Sequence, residues 1–379
     1  MDRNTRTTIV GAGPVGLSLA LMRAASGANV TLIDKVEMTV AGQDSRSLAV
    51  SYGSMQVLKR LGLDITHVAH APIKHIHISE HNAWGHTQLH HDDLDAPMLG
   101  AVVRYGELVA QLTRLVTSQD KITMIRPTSI TELTESEQHC QLTLSNGQIL
   151  QSDLLVHAEG GLFQNNDLAQ HDYKQTALIA NVTFATAKPA WAWERFTAEG
   201  PCALLPASND GLTFNLVWCM ERARAAELQA ASDVDFIAQL NQAVRHLTGR
   251  INHVSLRIAF PLGLKRPPEL HSKTRIAIGN AAQTLHPVAG QGFNLGLRDA
   301  FVLNQSLNEQ PTLAQALNAF IHQRQQDRSA TVRITDALAR GFFSDFGIGH
   351  LRSAGFALLN AFPVLKSQIA RQFMFGTRS

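Results

Sequence analysis

Cysteine is scarce in this chain. Its 379 residues hold three, Cys140, Cys202 and Cys219, an odd number with no C-x-x-C spacing. That argues against a disulfide framework and fits a reducing compartment. An excess of one charge is missing too: 33 Lys and Arg face 31 Asp and Glu, a formal net charge of +2. With no run of Lys and Arg, nucleic acid is not an expected partner. No stretch of about 18 apolar residues lacks a charge, so no membrane-spanning helix is expected. Asp2, Arg3 and Arg6 lead straight into a short apolar strand, and no small-residue cleavage site follows an apolar run. A signal peptide is therefore not expected. Internal repeats and low-complexity segments are also lacking. These absences point to a cytoplasmic protein, at most peripheral to the inner membrane.

What is present is an ordinary globular composition, 45% hydrophobic and 17% charged. The length suits two interlocked domains or one large α/β unit. The opening reads as strand, Gly-rich turn, helix and strand over Thr7–Val10, Gly11–Gly16, Leu17–Ala25 and Val30–Asp34. That is the start of a parallel α/β unit. Helices are expected over Gly53–Leu61 and Tyr105–Thr117, with an extended stretch at Ile73–Ser79 between them. Ile122 to Leu144 reads as a β-meander and Asn146-Gly147 as a hairpin turn. Leu154–Ala158 returns as a buried strand. A β-rich region follows, with strands at Ala177–Phe184, Leu212–Trp218 and Val254–Phe260 and a helix at Asp233–Thr248. Thr274–Gly279 is another buried strand, a helix opens at Gly292, and the chain from Thr312 is mainly helical.

Gly11-Ala-Gly-Pro-Val-Gly16 matches G-x-G-x-x-G between a strand and a helix. Gly11 allows the tight turn. Gly13 lets a pyrophosphate approach the backbone at the helix N-terminus, and Gly16 lets helix and strand pack closely. Asp34 closes the second strand and offers a carboxylate to a ribose. This spacing alone does not choose between FAD and NAD. A second strand, loop and helix start runs from Arg275 to Asp299. There Gly290 and Gly292 keep a loop slim beside a flat ligand, and backbone N–H groups from Gly292 to Asn294 can stabilise negative charge. A reduced flavin carries such charge.

The segment His286-Pro-Val-Ala-Gly-Gln-Gly-Phe-Asn-Leu-Gly-Leu-Arg-Asp299 resembles the signature of the ubiquinone-biosynthesis FAD-dependent hydroxylases. These belong to the group A flavin monooxygenases, of which para-hydroxybenzoate hydroxylase is the best-known member. Ile76–Glu80, Leu178–Val182, Glu194–Thr197, Gly200–Pro206, Leu216–Cys219, Asn280–Gln283 and Arg324–Arg328 are similar to segments of one branch, the 2-polyprenyl-6-methoxyphenol hydroxylases. The resemblance implies an α/β fold: an FAD-binding Rossmann-like domain with an inserted β-sheet substrate domain and a helical C-terminus. On this reading residues 1–72, 98–175 and 262–335 form the FAD domain, 73–97 and 176–261 the substrate sheet, and 336–379 the C-terminal helical segment.

The same resemblance implies site residues. Gly11, Gly13 and Gly16 would hold the pyrophosphate and Asp34 the adenosine ribose. Arg46 and Arg104 would contact FAD, and Glu159 and Asn280 would stand at its two further acidic or amide positions. Pro287, with Gly290, Gly292, Phe293 and Asn294, would border the flavin ring, which His286 and Pro287 flank. The implied reaction has two halves. NAD(P)H or another donor reduces FAD, and O₂ then forms a flavin hydroperoxide that hydroxylates an electron-rich polyprenyl phenol. A complex of biosynthetic proteins and contact with a membrane surface are implied as partners.

Two departures stand out. The class motif Ala-Asp-Gly-x-x-Ser-x-x-Arg reads here from Ala158 to Asn166, with Glu159, Phe163 and Asn166 replacing Asp, Ser and Arg. This puts direct NAD(P)H binding in doubt more than FAD binding. Asn280 stands where the wider class has Asp, and an amide can still hydrogen-bond a ribitol hydroxyl. Eight histidines between His67 and His91 crowd one region, with His75 and His77 on one strand face. They lack a tetrahedral set, so no metal is expected. Phe342, Phe343, Phe346, Phe356, Leu359 and Phe362, interspersed with Arg352, Lys366 and Arg371, suggest an apolar approach surface for a lipid-tailed substrate. Two other functions fit the residues: a hydroxylase of a small soluble aromatic acid, which would need a cationic pocket, and a non-catalytic flavoprotein subunit.

Overall fold

The computed structural model describes residues 5–81, 85–160, 169–245, 249–265, 271–283 and 290–325, together with 371 and 374. The chain opens with β1 (Thr7–Val10), α1 (Pro14–Ala25) and β2 (Val30–Ile33). A short helix α2 (Met38–Ala41), strand β3 (Ser47–Ser51) and helix α3 (Tyr52–Arg60) follow. Next come β4 (His70–Ile73), β5 (His75–Glu80), β6 (His86–His90), β7 (Gly100–Arg104) and α4 (Tyr105–Thr117). Strands β8 (Ile122–Ile125), β9 (Ile130–Glu135), β10 (Cys140–Leu144), β11 (Ile149–Ser152) and β12 (Leu154–His157) lead into the long β13 (Ala169–Phe184). After β14 (Trp191–Phe196), β15 (Pro201–Pro206) and β16 (Thr213–Glu221) come helices α5 (Arg222–Ala230) and α6 (Asp233–Ala243). Finally β17 (Ile251–Val254), β18 (Ile258–Lys265) and β19 (Arg275–Ala277) precede α7 (Gly292–Glu309), and residues 313–325 are helical.

Five strands form one parallel sheet in the order β19-β12-β1-β2-β8. Its central strands are apolar end to end, as burial on both faces requires: every residue of β1 is buried. Helices α1, α4 and α7 cover it through Leu17, Leu21, Leu108, Leu112, Leu303 and Leu307, all buried in one core. The chain leaves β1 toward β2 on one side and later adds β12 on the other. Strand order therefore reverses between β1 and β12, and the crevice beyond their carboxyl ends is where such sheets take ligands.

The second large sheet runs β17-β13-β16-β15-β14-β5-β6, with β18 also paired to β13. Alternation along β16 sends Phe214, Leu216, Trp218 and Met220 into a core with Phe236 of α6 and Leu228 of α5. The other face meets the small sheet β3-β7-β4 through Ala192, Ile73, Val102 and Ala71, joined by Met374 from the far end of the chain.

Three sequence expectations change. Ile122–Ile125 is not part of a meander but the fifth parallel strand, β8, and the meander starts at β9. The expected strand Val254–Phe260 is two strands broken at Ser255–Arg257. Here β13 hands its pairing from β17 to β18, and the Ser255 hydroxyl accepts from Asn181 N at 2.9 Å. Arg257 turns away to pair with Asp233 at 3.0 Å. The helix at Asp233 ends at Ala243 rather than Thr248, and residues 246–248 lie outside the described residues.

Candidate functional site

The glycine turn sits in the crevice between β1 and β12. Gly11 has φ +106°, and a Cβ there would lie 2.7 Å from the backbone of Ala158 and Glu159, just past β12. A Cβ on Gly16 would fall 1.9 Å from the Gly11 carbonyl oxygen, so the first turn of α1 lies directly on the loop. Gly13 is the N-cap of α1; it has no side chain to cap with, and no acidic residue follows in the first turn. The helix therefore begins with N–H groups free for an anion.

Asp34 holds this loop from the next strand: its carboxylate accepts from Ala12 N at 2.5 Å and from Val36 N at 2.7 Å. Tyr105, which sequence reasoning passed over, reaches the same place. Its hydroxyl would lie 3.1 Å from a Cβ on Gly13. Burial pushes the Tyr105 phenol above its ordinary value. Arg46 lies over the Tyr105 ring, 4.9 Å from its centroid, and pairs with Asp44 at 2.6 Å. Burial alone would raise the Asp44 carboxyl, but the Arg46 hydrogen bonds and charge reverse this and hold it below the usual range. Gly11, Gly13, Gly16, Asp34 and Arg46 thus converge, with Tyr105 as the link.

The second loop arrives beside the first. A Cβ on Gly296, one turn into α7, would meet Val15 of α1 at 2.8 Å, so the two helices start side by side. Gln291, the N-cap of α7, does not cap it with its side chain, and the first turn carries no acidic residue. Gly290 has φ +58° and lies against Ala49 of β3, 3.2 Å from a would-be Cβ. Gly292 is 3.7 Å by the same measure from Oδ1 of Asn280, which is exposed. Phe293 packs half-buried on the core of the parallel sheet.

Asn294 has a structural duty. Its Oδ1 accepts from Ser51 N at 2.9 Å, and its Nδ2 donates to Ala49 O at 3.0 Å and Gly290 O at 3.3 Å. The side chain is thus committed to locking the start of α7 onto β3. Behind it Asp299 accepts from Gly279 N at 2.9 Å and from Arg324 Nε at 2.7 Å, an ion pair in which both side chains are buried. This joins the turn after β19, helix α7 and the helix at residues 313–325.

Arg104 immediately precedes Tyr105 in the chain. It is exposed at the end of β7 and lines a cavity of about 410 Å³ with Ser47, His70, Ser208 and Asn215. This cavity lies between the β3-β7-β4 sheet and the end of the β15–β16 hairpin. Glu159 is exposed beside the glycine loop, 3.5 Å from the His157 ring. His286, Pro287, Phe163, Asn166 and the aromatic residues from Phe342 to Phe362 lie outside the described residues.

The histidine-rich strands form stacked pairs. His75 Nδ1 is 2.8 Å from His90 Nδ1, and the His75 ring stacks on Trp191. His77 stacks on His86. Burial, helped by His86, Arg195 and Lys188, pushes His77 down to about 4. Among the described residues no group of three or more His, Cys, Asp or Glu could hold a metal.

Two uncapped helix N-termini side by side, a glycine turn that a Cβ would fill, and a carboxylate at the end of β2 make a cradle that fits FAD. Gly11, Gly13 and Asp34 suit the pyrophosphate and ribose, and Gly290, Gly292 and the start of α7 suit the flavin edge. Comparison with known proteins agrees. Residues 4–335 match the family model described as FAD binding domain. The chain is 30% identical to 3-demethoxyubiquinol 3-hydroxylase of Escherichia coli (strain K12), over 80% of this chain and 79% of that protein. It is 29% identical to ubiquinone hydroxylase UbiL of Rhodospirillum rubrum, over 98% and 90%. In structure it is similar to a probable FAD-dependent monooxygenase from Pseudomonas aeruginosa, with a TM-score of 0.75 at 19% identity, covering 93% of this chain and 99% of that one. With the cradle and these matches together, the chain belongs to the FAD binding domain family and, within it, to the FAD-dependent aromatic hydroxylases of the ubiquinone-biosynthesis type.

Proposed function

We propose that this protein hydroxylates the aromatic ring of a polyprenyl phenol in ubiquinone biosynthesis, converting 2-polyprenyl-6-methoxyphenol to 2-polyprenyl-6-methoxy-1,4-benzoquinol. The observation that carries the reading is similarity to a ubiquinone hydroxylase along nearly the whole of both chains, supported by a glycine turn at the start of α1 that a Cβ would fill. One atom of O₂ enters the ring, the other leaves as water, and two electrons come from NAD(P)H or another donor. Bound FAD supplies the oxygen activation. The chain's own residues bind and orient it, exclude water and offer N–H groups to its negative edge.

In this reading residues 1–72, 98–175 and 262–335 carry the cofactor, and 73–97 and 176–261 form the substrate sheet. Gly11, Gly13, Gly16, Asp34, Arg46 and Arg104 would serve FAD, with Glu159 and Asn280 beside it. Tyr105 joins this set on its position at Gly13. The substrate's tail is a lipid, so contact with a membrane surface or a lipid-binding partner belongs to the reading; among the described residues no helix is long and apolar enough to cross a membrane. A small aromatic acid is the second reading, favoured by Arg104 in the cavity lining, where it could meet a carboxylate.

Deletion of the gene tests the proposal. A strain lacking the protein should accumulate a prenylated phenol one hydroxylation short of the quinol. Unchanged quinone content with accumulation of a small aromatic acid would favour the second reading.

A further inference from the structure

We propose that Asn215 reads the phenolic oxygen of the substrate in the cavity between the β3-β7-β4 sheet and the β15–β16 hairpin. This inference rests on the reading that the substrate is a phenol.

Asn215 sits on β16 between Phe214 and Leu216, both fully buried in the core of the large sheet. Strand alternation turns those two toward the helices and Asn215 to the opposite face. There it lines the cavity of about 410 Å³, a size that takes an aromatic ring with a short chain. Its Oδ1 accepts from the Ser47 hydroxyl at 3.0 Å. Its Nδ2 is buried and has no hydrogen-bond partner among the described residues. A buried amide left unpaired is costly, and such groups are found where a ligand completes them. An N–H donor left without a partner at the cavity wall asks for an acceptor oxygen.

The position suits the chemistry. Ser47 is two residues before Ala49 on β3, and Gly290 of the second loop lies against Ala49. Two residues of strand span roughly 7 Å. A ring held by Asn215 and Ser47 therefore lies beside the loop suited to the flavin. Arg104, opposite Ser47 in the β3–β7 register, adds positive charge that favours the phenolate form. An ionised phenol is the more electron-rich ring, the state an electrophilic oxygen donor attacks. Asn215 is thus a positioning residue that bonds the substrate's own oxygen.

The test is binding to the FAD-loaded, oxidised protein, read by titration calorimetry and by the change in flavin absorbance, without turnover. The probes are 2-prenylphenol and prenylbenzene, which differ only in the hydroxyl. The wild type should bind the phenol about tenfold more tightly than the hydrocarbon. Asn215→Leu should bring that ratio close to one by weakening the phenol alone, with FAD content unchanged. Asn215→Asp, which replaces the donor by an acceptor, should weaken the phenol at least as much. Both variants should still unfold in one cooperative transition and retain FAD, with Asn215→Leu losing the bond from the Ser47 hydroxyl along with the unpaired Nδ2. A ratio in Asn215→Leu equal to the wild-type ratio would overturn this inference and leave the proposed function standing. A wild type that binds neither probe but binds benzoate-type acids would overturn both.

Discussion

Gly13 faces a hydroxyl rather than open space. A valine there would press its branches into Tyr105 and the volume suited to a pyrophosphate. Gly13 has φ −75°, a conformation any residue adopts, so the backbone itself tolerates the change. Gly13→Val should therefore fold and lose most of its FAD, measured as the flavin-to-protein absorbance ratio. A folded variant with full flavin would place the pyrophosphate elsewhere. Asn294 gives a different expectation. Removing its amide leaves Ser51 N and Ala49 O without their partner, so Asn294→Ala should lose about 1–3 kcal/mol of stability as well as flavin. Denaturant unfolding of apoprotein checks this, because a residue that only touched flavin would leave apoprotein stability unchanged.

The elements differ in how far they could be read from sequence. Helix α4 was legible to the residue, because Leu108, Val109, Leu112 and Val116 repeat at helical spacing and the helix spans Tyr105–Thr117. The glycine turn was legible because β1 and α1 flank it. Strand β8 was not: four residues at a sheet edge, half exposed, look like the first strand of the meander that follows. Asn215 was missed because a polar residue alternating with Phe214 and Leu216 reads as solvent-facing. Only the packing of a second sheet over that face shows otherwise. Tyr105 was missed because its role depends on a glycine nearly a hundred residues away in sequence.

Strands β5 and β6 carry a pH dependence. His77 has an ordinary value of 6.5 and a folded value of about 4, lowered first by burial and then by His86, Arg195 and Lys188. Below about pH 6.5 the unfolded chain takes up a proton that the folded chain refuses, so stability falls as pH drops toward 4 and levels off below. His75 and His81 are lowered in the same direction, also mainly by burial. The melting temperature should thus decline from about pH 7 to about pH 4.5, and His77→Gln should flatten part of that slope. Identical slopes for wild type and variant would remove His77 as a cause.

At the scale of the whole molecule, distant parts of the chain share one small core. Met374 is buried with Ala71, Ile73 and Ala192, and its carbonyl accepts from the Ser51 hydroxyl at 3.1 Å. Met374 thus packs where the small sheet meets the large one, close to β3. Met374→Ala should cost about 2–4 kcal/mol and loosen that junction, measured by thermal unfolding of FAD-loaded protein. An unchanged melting temperature would mean that the contact adds nothing to folding. The pairing of a parallel sheet with a separate large β-rich sheet was legible from two dinucleotide-type loops about 270 residues apart with β-rich segments between them. Burial of Met374 was not, since a lone methionine near a terminus carries no periodic signal.

The most direct test of the central claim, an FAD-dependent ring hydroxylation, is the origin of the new oxygen. FAD-loaded protein is reduced under anaerobic conditions, mixed with a short-chain 2-prenyl-6-methoxyphenol and exposed to ¹⁸O₂, and the product is weighed by mass spectrometry. The account expects one ¹⁸O atom on the aromatic ring and no product from apoprotein. Oxygen taken from water, or equal product without FAD, would contradict it.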